Sequence, residues 1–233
     1  MSTFVLVPGA GGMGWYWHLL VPELERLGHE AIAVDIREDD PRLGLPEYAD
    51  IVVDAIGDRS DVVLVGQSLG AFTVPVVAWR VPVRMIVLLN AMIPLPGETP
   101  GEWWGATGQP QARELNDKED GRSGEFDEEV HFLHDVPPDV VAAGAGEQRE
   151  PSDTPFGQPC EMERWPDVPT KVLIGQDDRF FPLDFQRSQA KERLRLVGDE
   201  IRGGHLVALS NPVELAARLD EYSRESDPGS RVS

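Results

Sequence analysis

The strongest constraint on this chain is a repeated alternation of short apolar runs with segments of helical spacing. The first run, Phe4-Val5-Leu6-Val7, leads through a glycine-rich loop to a face of Leu19, Leu20, Leu24 and Leu27 that stops at Gly28. Further runs lie at 31–34, 62–65, 85–89 and 172–174, and all but the last are followed by helical spacing or a long excursion. Strands apolar on both faces need cover on both sides, which parallel strands receive from crossover helices. The pattern therefore predicts an α/β fold with a mostly parallel central sheet flanked by helices. A sixth strand is expected near 194–201, although Gly198, Asp199 and Glu200 interrupt it. A final helix is expected from Asn211 and Pro212, burying Val213, Leu215, Ala216 and Leu219.

The rhythm breaks between 94 and 169, a stretch rich in Pro, Gly and acids that carries the pair Trp103-Trp104. So long an excursion from a compact sheet marks a functional insertion. The expected division is a core of residues 1–94 and 166–225, an inserted helical lid over 95–165, and a disordered tail over 226–233. With 233 residues divided in this way, little length is expected to remain for a second domain. Acids gather in the insertion at Glu114, Asp117, Glu119, Asp120, Glu125, Asp127, Glu128 and Glu129.

Charge narrows the partners. Twenty-one Lys and Arg against 41 Asp and Glu leave a formal charge of −20, which repels phosphate backbones and anionic lipid. Nucleic-acid and membrane partners are therefore not expected. The single cysteine, Cys160, excludes an internal disulfide and a cysteine metal cluster. With no secretory apolar region and no run of 18 apolar residues, a cytoplasmic location is expected. Monomer and homodimer both stay open.

The chemistry concentrates at Gly66-Gln67-Ser68-Leu69-Gly70, a G-x-S-x-G between an expected strand and an expected helix. A tight strand-to-helix turn strains the serine backbone and holds its hydroxyl out at the carboxyl end of the sheet. A serine hydroxyl needs a base, and the base needs a carboxylate to fix its tautomer. His18, His29, His131 and His134 read as surface or lid packing. His205, in Arg202-Gly203-Gly204-His205-Leu206 after the last expected strand, can reach over the sheet edge. For the acid, Asp177 and Asp178 follow the fifth strand together, while Asn90 at the end of the fourth lacks a charge. The order Ser, Asp, His is the one that an α/β-hydrolase sheet uses.

With these residues in place, the chain resembles the α/β-hydrolase fold superfamily, in its small serine esterase and hydroxynitrile-lyase-like branch, over nearly its whole length. Residues 4–10 resemble the family's first strand and oxyanion loop, with Pro8-Gly9 where His-Gly is commoner. The pattern Gly-x-x-Asp-x-x-x-Pro falls on Gly175, Asp178 and Pro182, so the resemblance selects Asp178 over Asp177. It also implies that the backbone N–H groups of Ala10 and Leu69 form an oxyanion hole. The implied activity is hydrolysis of a small-molecule carboxylic ester through an acyl-enzyme on Ser68, without metal or organic cofactor; a thioester is the alternative on the same triad. Trp15, Trp17, Trp103, Trp104 and Phe180 are candidate walls of an apolar substrate pocket.

Three rivals belong to other classes. Gly9-Ala10-Gly11-Gly12-Met13-Gly14, with Asp35 about 20 residues on, satisfies the fingerprint of an NAD(P)-binding Rossmann-type oxidoreductase. Against it, the bulky Trp15, Tyr16 and Trp17 follow where helix and sheet should pack tightly, and no tyrosine has a lysine four residues on. A catalytically silent hydrolase-fold scaffold would leave an intact Ser/Asp/His set without use. Cyanohydrin cleavage, as in plant-type hydroxynitrile lyases, lacks its usual cation because Leu206 follows the histidine where a lysine is typical.

Overall fold

A computed structural model describes residues 1–225, so the tail expected over 226–233 lies outside the described residues. Six parallel strands form one sheet: β1 (Thr3–Val7), β2 (Glu30–Ala33), β3 (Val62–Gln67), β4 (Met85–Leu89), β5 (Thr170–Gly175) and β6 (Asp199–Ile201), in spatial order β2-β1-β3-β4-β5-β6. The period of two along each strand sorts the side chains. Phe4, Leu6, Val63, Val65, Met85, Val87 and Leu89 enter one buried cluster, and Val5, Val7, Val62, Leu64, Ile86 and Leu88 enter the other. Each is buried almost completely, and each such aliphatic side chain contributes roughly 1.5–3 kcal/mol from removal from water.

Helices α1 (Leu20–Arg26) and α10 (Pro212–Glu225) cover the first face through Leu20, Leu24, Leu215, Ala216 and Leu219. The opposite face is covered by α2 (Leu45–Ile56) and α3 (Val74–Arg80) through Tyr48, Val52, Ile56, Val74 and Val77. Val213, expected on the buried face of α10, is exposed instead, because it lies on the first turn away from α1. No helix among the described residues is long and apolar enough to cross a membrane.

Two expectations shift in detail. The glycine-rich loop leads first into a 3-10 turn, Gly14–Trp17, before α1 begins at Leu20. The sixth strand spans only Asp199–Ile201 rather than 194–201. Residues 190–194 continue α8 (Leu183–Gln189) as a π-helical turn, Arg195 takes a left-handed φ of 58°, and Val197 is left in solvent.

Between β4 and β5 the chain leaves the sheet to build a cap of α4 (Pro100–Thr107), α5 (Gln109–Glu119), α6 (Glu128–His131) and α7 (Pro138–Gly144). Thr99 starts α4 with a capping box: its hydroxyl accepts from Glu102 N at 3.1 Å, and the Glu102 carboxylate accepts from Thr99 N at 3.0 Å. After the cap come α8, then α9 (Val207–Ser210) beyond β6.

Candidate active site

The strand order reverses between β1 and β3, so the chain leaves their carboxyl ends in opposite directions and opens a crevice there. Ser68 stands at the mouth of that crevice. It follows β3 with φ of 49°, a left-handed conformation that costs a side-chain-bearing residue about 1–3 kcal/mol. The neighbouring glycine is required by crowding: a Cβ on Gly70 would lie 2.5 Å from Pro8 O and 2.8 Å from Val7 O, both backbone atoms. The elbow therefore packs directly against the end of β1.

His205 arrives from the loop after β6, and its ring is held by its acid. Nδ1–H donates to Asp178 Oδ2 at 2.8 Å, which leaves Nε2 with a free lone pair. Asp178 is 3% exposed; its other oxygen accepts from the N–H groups of Phe180 and Phe181 at 2.9 and 2.8 Å. Asp177, the competing acid, is exposed and accepts from Gly203 N at 3.1 Å. It serves the backbone of the histidine loop and does not reach the imidazole.

The rest of that loop is clasped from three sides. Asn90, at the end of β4 with φ of 44°, donates from Nδ2 to the carbonyls of Gly204 and His205 at 3.0 and 3.1 Å, and its Oδ1 accepts from Gly175 N at 2.7 Å. Gln67 Nε2 donates to His205 O at 3.3 Å. From the cap, Asp135 accepts the Gly204 N–H at 2.6 Å. Asn90, considered only as an acid that is missing, thus has a structural task for which an amide suits better, since it must donate and accept at once.

Ser68, His205, Ala10 and Leu69 all border one cavity of about 560 Å3. Its walls are largely apolar. Met13 and Trp15 come from the β1 loop, Met92 from the β4 loop, Trp104 from α4 and Phe180 from the Asp178 loop. The cap adds Phe132, Leu133, Val136, Val140 and Val141, and Gly144 is small because a Cβ there would meet Trp15 Cη2 at 2.7 Å. Glu128, Gln148, Arg149 and Glu150 form its polar part.

Two of the five expected wall residues lie elsewhere. Trp17 is fully buried in the core on the α1 side of the sheet. Trp103 is fully buried in the opposite cluster, where it donates from Nε1 to Ile93 O at 3.1 Å and packs on Phe181 and Phe185. Trp103 and Trp104 are adjacent on α4 and point about 100° apart, so one faces the core and the other the cavity, whereas Trp15 and Trp17 stand two residues apart on the 3-10 turn and diverge in the same way. The cap residues Phe132 to Val141 carry no sequence signal beyond apolar spacing, which marks core and pocket alike.

Two of the other histidines are engaged in ion pairs away from the cavity. His29 pairs with Asp220 at 3.0 Å within the scaffold, and His131 with Asp117 at 3.0 Å within the cap. The glycine-rich loop does not present a dinucleotide arrangement. Asp35, whose carboxylate a ribose would need, instead accepts from Gly14 N at 3.0 Å and from Arg149 Nη1 at 2.9 Å.

The chain is similar to proteins that share this layout. It is 32% identical to an alpha-hydroxynitrile lyase of Arabidopsis thaliana over 39% of this chain, a match spanning only 40% of that protein's length. It is 26% identical to salicylic acid-binding protein 2 of Nicotiana tabacum over 95% of this chain and 97% of that one. The solved structure of a polyneuridine aldehyde esterase superposes with a TM-score of 0.76 at 20% identity, covering 95% of this chain and 99% of the other. The model of the alpha/beta hydrolase family matches residues 4–218, so nearly all of the described chain, sheet and cap together, belongs to the alpha/beta hydrolase family.

Proposed function

We propose that this chain is a serine hydrolase of carboxylic esters. The observation that carries the reading is the junction of a strained Ser68 and an Asp178-held His205 on one apolar cavity. The esterase named among its structural relatives, and its place in the hydrolase family, support the same reaction class.

In this mechanism the substrate carbonyl lies against Ala10 and Leu69. Ser68 Oγ attacks the carbonyl carbon and gives its proton to His205 Nε2, while the carbonyl oxygen takes negative charge and accepts from the N–H groups of Ala10 and Leu69. Asp178 stabilises the imidazolium without taking its proton. The C–O bond to the alcohol then breaks, His205 Nε2–H protonates the departing oxygen, and an acyl ester remains on Ser68. Water, deprotonated by the same Nε2, releases the acid. A thioester would follow the same steps with sulfur as the leaving atom.

Labelling by a fluorophosphonate probe tests the reading, together with turnover of p-nitrophenyl butyrate. Wild-type protein should react with both, and folded Ser68→Ala with neither. Labelling that persists in that variant would show that the nucleophile is another residue.

A further inference from the structure

Glu38 is a buried carboxylate behind the β1 loop that the proposed mechanism does not use. It is 2% exposed, and its Oε2 accepts the Gly11 N–H at 2.7 Å. Gly11 lies in a turn closed by Gly12 N–H donating to Gly9 O at 3.0 Å, and its φ of +94° marks a type II turn. The Ala10 N–H belongs to the preceding peptide, Gly9–Ala10, at the first corner of the same turn, so a tether at the Gly11 N–H restrains it through Ala10. Rotating the middle peptide, Ala10–Gly11, to the type I orientation would turn the Ala10 carbonyl toward the Glu38 carboxyl, acceptor against acceptor.

The Glu38 loop is fixed in turn. Ile36 N–H donates to Gly12 O at 2.7 Å, and the cap return donates Ser152 N–H to Glu38 O at 2.7 Å. A Cβ on Gly12 would lie 2.1 Å from Ile36 O and 2.8 Å from Glu38 Cγ, so the two loops pack without slack.

We propose that Glu38 is the positioning residue of the oxyanion turn: by accepting the Gly11 N–H it tethers the Gly9–Gly12 turn to the loop carrying Ile36 and Glu38, and so holds the adjoining Gly9–Ala10 peptide, which carries the Ala10 N–H, in place at the cavity. The kinetic consequence rests on the ester-hydrolase reading; the structural one does not.

The group also titrates in a useful range. Burial pushes the Glu38 carboxyl up to about 8, against the opposing pull of the Gly11 N–H. The titratable groups around it are Asp35, Arg37 and Asp39 on its own loop, Arg149 from the cap return and Tyr48 on α2. Arg149 is paired with Asp35, and Arg37 with Asp39. Below pH 8 the neutral carboxyl still accepts the N–H through its carbonyl oxygen. Above it, a negative charge forms beside the donors that must receive the developing oxyanion, and the rate should fall.

Glu38→Gln keeps the acceptor and removes the charge, whereas Glu38→Leu removes both. Two measurements separate them: hydrogen exchange of the peptide containing residues 9–14, followed by mass spectrometry, and kcat and KM for p-nitrophenyl butyrate from pH 6 to 10. In Glu38→Gln, exchange should stay slow and most of kcat at pH 7 should be retained, but the alkaline fall of the wild type should disappear. In Glu38→Leu, exchange should rise and kcat fall at least ten-fold, with KM within three-fold. A folded Glu38→Leu with wild-type exchange overturns the proposal, and so does an alkaline fall that persists in Glu38→Gln. Should Glu38→Leu not fold, the Gln comparison decides alone. Should the wild type turn over no ester, the ester reading fails, and exchange still decides the role of Glu38.

Discussion

Phe132 of the cap lies over the imidazole of His205, with ring centroids 5.0 Å apart and planes 28° from parallel. Phe180 and Phe181 meet the same imidazole edge-on at 5.2 and 4.9 Å. The face of Phe132 is the negative part of its quadrupole, so it favours the imidazolium that forms as Ser68 attacks, by roughly 0.5–2 kcal/mol. Phe132→Leu should therefore lower kcat/KM for p-nitrophenyl butyrate by about 2- to 30-fold. An unchanged value would reduce Phe132 to a cover over the cavity.

The two adjacent acids should separate by several orders of magnitude. Asp178→Asn would leave His205 in the wrong tautomer, a change that costs about 10⁴ in kcat in a comparable triad. Asp177→Asn still offers a carbonyl oxygen to the Gly203 N–H, so its kcat should fall less than about ten-fold. Steady-state kinetics on both purified variants gives the ranking, and the reverse order would mean that the wrong carboxylate has been chosen.

A buried charge cluster should govern the stability of the cap. Asp117 is fully buried and accepts from Arg113 at 2.9 Å, Arg122 at 2.7 Å and His131 at 3.0 Å. Burial alone would raise its pKa, but the hydrogen bonds from Arg122 and His131 outweigh it and hold the carboxyl below the usual carboxylate range. Replacing it with Ala strands the cations and should cost about 3–5 kcal/mol. The stabilisation of a carboxylate with depressed pKa is complete above the unfolded value near 4 and is lost as pH falls through the folded one. Thermal melts should thus show a large wild-type advantage at pH 7 that shrinks on acidification below about 4. An advantage independent of pH would rule out the charged form as its source.

Electrostatics at the cavity should select against anionic esters. Glu128 and Glu150 border it, and the nearby Arg149 is already paired with Asp35. A hemisuccinate ester should show a higher KM than a neutral ester of equal length, and the gap should narrow as salt rises from about 20 mM to about 500 mM. Glu128→Gln with Glu150→Gln should narrow it without added salt.

The sheet was legible because β1, β3 and β4 contain the unbroken apolar runs 4–7, 62–65 and 85–89, a pattern that few other elements share. The residues of the proposed triad stood out for a different reason: each follows a strand within a few residues, in a loop punctuated by glycine. What stayed hidden depends on which way a side chain faces. Trp103 and Trp104 look alike in sequence, yet one seals the core against Phe181 and the other lines the cavity. Glu38 carried no signal either, since an acid in the charged run Arg37-Glu38-Asp39-Asp40 reads as solvated charge until the loop is folded against Gly11.

The cap leaves from β4 and returns into β5, and these strands are direct neighbours, with Ile86 beside Thr170 and Leu89 beside Leu173. Because the two strands are parallel, the exit after Leu89 and the entry at Thr170 lie at opposite ends of the pair, about 10 Å apart along the strands, and the insertion is a crossover that must run back along the sheet. The cap helices can be lengthened, shortened or exchanged between relatives without re-registering the sheet, provided that the returning segment still spans the crossover to Thr170. The exception is Asp135: any transplanted cap must bring its own acceptor for the Gly204 N–H, or the base loses a guy-rope along with its roof.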